Sequence, residues 1–208
     1  MRPLRHLFRP IAVPDILGNA LVALLSVGGA LASQASQAQS ADQAAPPDPA
    51  LEACHRGAAA QQQNRPVLAI SLYNECIEWA DLPSDTLALV LTNRAAARQA
   101  TRDYEGALRD YGAALEIDPA RANAYNGRCW AYARLRRPAE ALVDCEESLR
   151  LAPDDPYALD SRALVHWLMS RDNLARDDLE RARALDPSFR PWQERFKDFE
   201  ALFFGIDR

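Results

Sequence analysis

Four cysteines, Cys54, Cys76, Cys129 and Cys145, are the residues of this 208-residue chain best equipped for covalent chemistry. An even number of thiols suits disulfides, of which three pairings are conceivable, and it equally suits four buried free thiols, since cysteine packs as a small apolar side chain. A metal centre is not expected, because there is no Cys-x-x-Cys and His55 and His166 stand far apart in sequence. The other chemistry-bearing types are no better placed. No Gly-rich phosphate loop, His-Glu-x-x-His motif or nucleophile elbow occurs, and the 8 glycines are scattered. Asp154-Asp155 follow a proline and read as a turn, Glu146-Glu147 stand beside Arg150 as a solvated face, and His166 occupies a packing position. The chain is therefore not expected to be an enzyme, to bind a cofactor or to hold a metal.

A second pattern is ionic. Arg94, Arg128 and Arg162 recur, and an acid follows sixteen positions later each time, at Asp110, Asp144 and Asp178. Both patterns require elements that bring such positions together, and the punctuation of the chain supplies them. Pro119, Pro153 and Pro187 are evenly spaced, and the blocks between them repeat residue types in register. Small residues recur at Ala95, Cys129 and Ala163, at Ala107, Ala141 and Ala175, and at Ala114, Ser148 and Ala182. Bulky ones recur at Leu91, Tyr125 and Leu159. A period of about 34 residues is the signature of helical hairpins that bury their apolar faces only by stacking. In an antiparallel hairpin turning midway, each Arg faces its Asp. Cys54 and Cys76 are symmetric about Arg65, and Cys129 and Cys145 about Arg137, each beside a proline. The expected disulfides are therefore Cys54–Cys76 and Cys129–Cys145, each adding roughly 3 kcal/mol.

Through Ala124-Tyr125-Asn126, Tyr132, Ala141 and the ending Leu149-Arg150-Leu151-Ala152-Pro153, the chain resembles the tetratricopeptide repeat family. The resemblance implies an all-α, right-handed superhelical solenoid of antiparallel hairpins over residues 50–187. Four repeats are expected: a degenerate 50–87, in which Ser84 to Leu87 are extra, then 88–121, 122–155 and 156–187. Arg98 and His166 depart from the pattern by standing where the family usually has Tyr. Cys145 and Leu179 are smaller than the aromatic residue favoured in the second helix.

The resemblance also implies a concave groove lined by the first helices. Its slots are Leu89, Thr92, Ala96 and Gln99, then Asn123, Asn126, Trp130 and Arg134, then Tyr157, Asp160, Leu164 and Trp167. Aromatic residues flanked by Asn and Arg are the types that anchor binding partners, so a protein or peptide partner is expected there; packing of Trp130 and Trp167 against neighbouring helices is the alternative. The basic residues that grip a chain-terminal carboxylate in chaperone-binding members are missing. Asn123 and Gly127 fill two of those slots and only Asn93 matches, so a clamp for acidic chain ends is not expected.

Outside the repeats the ends carry their own signals. Arg2, Arg5 and Arg9 precede an apolar stretch from Ile16 to Ala32, followed by cleavage signals ending at Ala32, Ala35 or Ala38, the layout of a signal peptide over 1–38. A retained anchor is the alternative, for which this stretch is short and interrupted by Asn19, Ser26 and glycines. Residues 39–49 read as a flexible linker. Beyond Pro187, Trp192, Phe196, Phe199, Leu202 and Phe203 recur at helical spacing, so 188–208 is expected as a capping helix. Losing residues 1–38 would remove Arg2, Arg5, Arg9 and Asp15, leaving 21 basic against 28 acidic side chains and a net charge of −7. Nucleic acid is a poor partner for that charge, and no stable membrane insertion of the mature chain is expected. The function expected is a periplasmic or secreted bacterial interaction scaffold serving cell-envelope assembly or homeostasis. A fixed structural subunit of a secretion or envelope complex is the alternative.

Overall fold

A computed structural model of the protein describes residues 49–79 and 81–190. The expected signal peptide, most of the linker and residues 191–208 of the expected capping helix lie outside them. The described residues form eight α-helices and no strand: α1 (Pro49–Gln62), α2 (Pro66–Trp79), α3 (Ser84–Ala100), α4 (Tyr104–Ile117), α5 (Ala122–Arg134), α6 (Pro138–Leu151), α7 (Pro156–Leu168) and α8 (Asp172–Leu185). They pair as hairpins α1–α2, α3–α4, α5–α6 and α7–α8, and each hairpin stacks on the next. The fold is a tetratricopeptide-type solenoid.

Each hairpin turns through one residue with positive φ: Asn64 (56°), Arg102 (65°), Arg136 (59°) and Ser170 (59°). The next amide reaches back across the turn, as when Arg65 N–H donates to Ala60 O at 2.9 Å, Asp103 to Arg98 at 2.9 Å, Arg137 to Tyr132 at 3.0 Å and Arg171 to His166 at 2.9 Å. This closes the last helical turn as a C-terminal cap. The second helix then restarts with a cap such as the Asp103 side chain, which accepts from Gly106 N–H at 2.9 Å, or with proline in its first turn, as Pro138 in α6.

The four residues expected to be extra, Ser84 to Leu87, are the first turn of α3. Four residues are close to one helical turn, so the insertion lengthens the helix without rotating its buried face. Ser188, Phe189 and Arg190 differ from expectation in being non-helical. Asp186 holds them in a turn, its Oδ1 accepting from Ser188 N–H at 2.9 Å and its carbonyl from Phe189 N–H at 2.9 Å.

Candidate functional site

Within the second, third and fourth hairpins the same slots face one another: Ala95 and Tyr111, Cys129 and Cys145, Ala163 and Leu179. All six are at most 7% exposed. In the third hairpin that facing pair is a disulfide, Cys129–Cys145, with Cα atoms 5.4 Å apart. Cys54–Cys76 is likewise bonded across the first hairpin, with Cα atoms 5.0 Å apart. Cys76 occupies the slot filled by Ala114, Ser148 and Ala182 in later hairpins. Small residues at these slots let the paired helices approach closely enough for an S–S bond.

The arginine–aspartate spacing becomes three equivalent forks. Arg94 donates from Nε and Nη2 to both Asp110 oxygens at 2.8 and 2.7 Å, Arg128 to Asp144 at 2.7 and 2.7 Å, and Arg162 to Asp178 at 2.8 and 2.6 Å. The three carboxylates are buried. The hydrogen bond to its aspartate holds each of Arg128 and Arg162 above the ordinary guanidinium value, against the opposing pull of burial.

The two departures from Tyr meet these same carboxylates. Arg98 brings a second guanidinium to Asp110 at 2.9 Å. His166 Nε2 lies 3.9 Å from Asp178 Oδ2, while its Nδ1 is buried and has no hydrogen-bond partner among the described residues. Burial draws the imidazole below its ordinary value, against the pull of Asp178. The acidic doublets are structural: Asp155 caps α7 through Tyr157 N–H at 2.8 Å, Asp154 meets Arg181 at 3.0 Å, and Glu147 accepts from Arg150.

The first helices touch one another along the stack, α1 with α3, α3 with α5 and α5 with α7, while the second helices make no comparable contact. The first helices therefore form the inner wall of the curve. On it Asn123, Asn126, Trp130, Arg134 and Trp167 are half-buried. Asn126 Oδ1 is itself buried and has no hydrogen-bond partner among the described residues. Arg134 lies 5.1 Å from the centre of the Tyr104 ring, and burial lowers its guanidinium to about 10, so it stays charged at neutral pH.

Four expected groove residues are placed differently. Asp160 and Leu164 are each 1% exposed, and Leu164 belongs to the core cluster that contains both Cys129 and Cys145. Close packing of α5 on α7 draws both into the seam beneath the wall. Thr92 is buried and its hydroxyl donates to Ala88 O at 2.7 Å. Tyr157 keeps an exposed edge but stacks edge-on against Phe189 at 5.2 Å, at the end of the stack.

Gln99 is committed too, and it explains why Gly127 occupies its slot. Tyr111 Oη donates to Gln99 Oε1 at 2.8 Å, and Gln99 Nε2 donates to Gly127 O at 2.7 Å. A Cβ at Gly127 would run into the Tyr111 ring. No basic side chain can stand there, which removes one arm of a carboxylate clamp. The Arg98–Asp110 contact, the Gln99 bridge and the Arg134–Tyr104 stack were not found from sequence. Only for Arg98 was there a signal, its occupation of a slot usually held by Tyr.

Residues 122–155 match the family model of the tetratricopeptide repeat. Among curated proteins, Sperm-associated antigen 1 of Mus musculus is 38% identical over 85 residues, which is 41% of this chain and 9% of that protein. Tetratricopeptide repeat protein 36 of Bos taurus is 37% identical over 91 residues, 42% of this chain and 48% of its own. The chain thus spans less than half the length of either relative. Among solved structures, MamA superposes with a TM-score of 0.59 at 16% identity, covering 69% of this chain and 81% of its own. A thermophilic TPR protein of Thermus thermophilus does so at 0.59 and 18%, covering 66% and 75%. Both likenesses concern the fold. The second TPR domain of human RPAP3, in complex with the HSP70 peptide SGPTIEEVD, has a TM-score of 0.51 at 27% identity, covering 56% of this chain and 93% of that domain.

Proposed function

We propose that the chain is a non-enzymatic scaffold of an oxidising, extracytoplasmic compartment, which holds a peptide segment of a partner protein along its inner wall in the service of cell-envelope assembly. The observation that carries this reading is the cluster on α5 and α7, where half-buried Trp130, Trp167, Asn123 and Arg134 share one wall. An extended or helical segment laid in such a trough can bury apolar side chains against the tryptophans. The peptide complex of the RPAP3 domain supports peptide binding by a wall of this shape.

Export is supported by the layout of residues 1–38 and by the two disulfides, which persist in oxidising spaces. The ligand is not an acidic chain end, since Gly127 and Asn123 replace the gripping cations. The test is a peptide library presented to the oxidised mature chain and to Trp130→Ala plus Trp167→Ala. Binders that lose affinity tenfold or more in the double variant, at unchanged helicity, support the reading. Binders indifferent to both substitutions would sink it. Mass analysis of exported material settles the compartment separately: a chain beginning after Ala32, Ala35 or Ala38 with no alkylatable thiol is the expected product.

A further inference from the structure

The two disulfides differ in surroundings. Cys129–Cys145 lies in the third hairpin, which has a repeat on either side, and both of its cysteines are 0% exposed. They share a core cluster with Ala133, Ala141, Ala163 and Leu164. Cys54–Cys76 joins α1 to α2 in the first hairpin, which packs on the second hairpin and, among the described residues, has no repeat on its other side. Cys76 is 0% exposed, but Cys54 is 7% exposed, with the exposed side chain of His55 next to it on α1. Cys54 is thus the one cysteine of the four that presents surface. The first hairpin also lacks the ionic tie of the others. Arg56 stands in the slot of Arg94, Arg128 and Arg162, but the slot of the aspartates holds buried Leu72, so no fork can form there. Besides the bridge, the seam between α1 and α2 is held by close packing of Gly57 on the Tyr73 ring and by Tyr73 Oη donating to Gln61 Oε1 at 3.0 Å. The covalent bond takes the place of the fork.

We propose that Cys54–Cys76 is a thiol-exchange site, open to low-molecular-weight thiols in the folded chain, and that its redox state decides whether α1 belongs to the inner wall. The attacking thiolate bonds to Cys54 Sγ, the S–S bond breaks, and its electron pair leaves on Cys76 Sγ, which takes a proton. A second thiol then attacks the mixed disulfide, releasing Cys54 as a thiol and the reductant as its own disulfide. Two thiols are oxidised and one bridge is reduced. With the bond open, α1 is held by neither fork nor bridge, and a terminal unit packed on one side opens at little cost. The inner wall then begins at α3. The part around Trp130 and Trp167 is unaltered, because Cys129–Cys145 offers no surface to the same thiol. The inference does not depend on which partner the wall holds.

The test is timed reduction of the oxidised full chain by dithiothreitol at neutral pH without denaturant, with alkylation and peptide mapping by mass spectrometry. Cys54 and Cys76 should become alkylated at least about tenfold faster than Cys129 and Cys145. A brief exposure to glutathione should leave the mixed disulfide on Cys54. Hydrogen exchange of the singly reduced chain should show α1 amides losing protection while those of α5 to α8 keep it. Cys54→Ala plus Cys76→Ala, which cannot close the bond, should show the same pattern. Equal opening of the two bridges, or earlier opening of the third hairpin's bridge, would overturn the proposal. So would glutathione found first on Cys76, α1 protection that survives reduction, or a purified chain with four free thiols.

Discussion

The three Arg–Asp forks are the most regular side-chain feature of the molecule. They differ from surface ion pairs, which contribute little, because each carboxylate is buried and held by two parallel bonds. Removing one partner leaves a charge without compensation in the interior, so Arg128→Ala should cost about 3 kcal/mol, measured by chemical denaturation. His166 gives a pH dependence whose sign is determined. Its folded value lies below the unfolded value of 6.5, so the stability it permits is complete above about pH 6.5 and is lost as pH falls through the folded value. The thermal midpoint should fall between pH 7 and pH 5, and His166→Phe should flatten that part of the curve. A wild-type midpoint that is level over this range would contradict the buried neutral imidazole. At the turns, Arg102, Arg136 and Ser170 take up a left-handed conformation that favours glycine. Arg136→Gly should raise stability by roughly 1 kcal/mol.

At the scale of the helix pair, the third hairpin depends on oxidation. Where its neighbours pack Ala against Tyr or Leu, it has two cysteines, and reduction leaves two small thiols in place of one covalent link. Reducing both bridges should lower stability by about 3 kcal/mol each. Cys129→Ala plus Cys145→Leu, which copies the Ala163–Leu179 pair of the fourth hairpin, should make the third hairpin insensitive to reductant, checked by comparing denaturation with and without dithiothreitol. Much at this scale was legible in the sequence, because a hairpin is local: prolines at even spacing mark where helices end, and positions symmetric about a turn must face one another. The cysteine partners and the fork partners follow from that symmetry alone. The inserted turn of α3 was visible as four extra residues but not as helix, since a count of residues does not say whether they continue the preceding loop or the following helix.

Over the whole molecule, legibility declined with distance along the chain. Which inner-wall residues remain open depends on how closely one first helix approaches the next, a quantity the repeat pattern does not carry. Asp160 and Leu164 were expected in the groove and lie in the seam, because α5 and α7 pack tightly, while Trp130 and Trp167 stay half-buried on the wall. Gly127 shows the reverse case, in which a missing side chain had a cause only three-dimensional packing reveals: the Tyr111 ring from the preceding hairpin fills its space. For the same reason the HSP70 peptide SGPTIEEVD should bind this chain only weakly, with a Kd above about 1 mM by calorimetry.

The inner wall as the working surface is tested most directly by site-specific photo-crosslinking in the native cell. A photoreactive residue is placed in turn at Asn123 on the inner wall and at Val143, which is 66% exposed on α6. One defined partner should be captured from position 123, lost when Trp130→Ala and Trp167→Ala are added, and absent from position 143. Capture of that partner from position 143 alone, or capture from position 123 that ignores both tryptophans, would contradict the account and move function to the outer face.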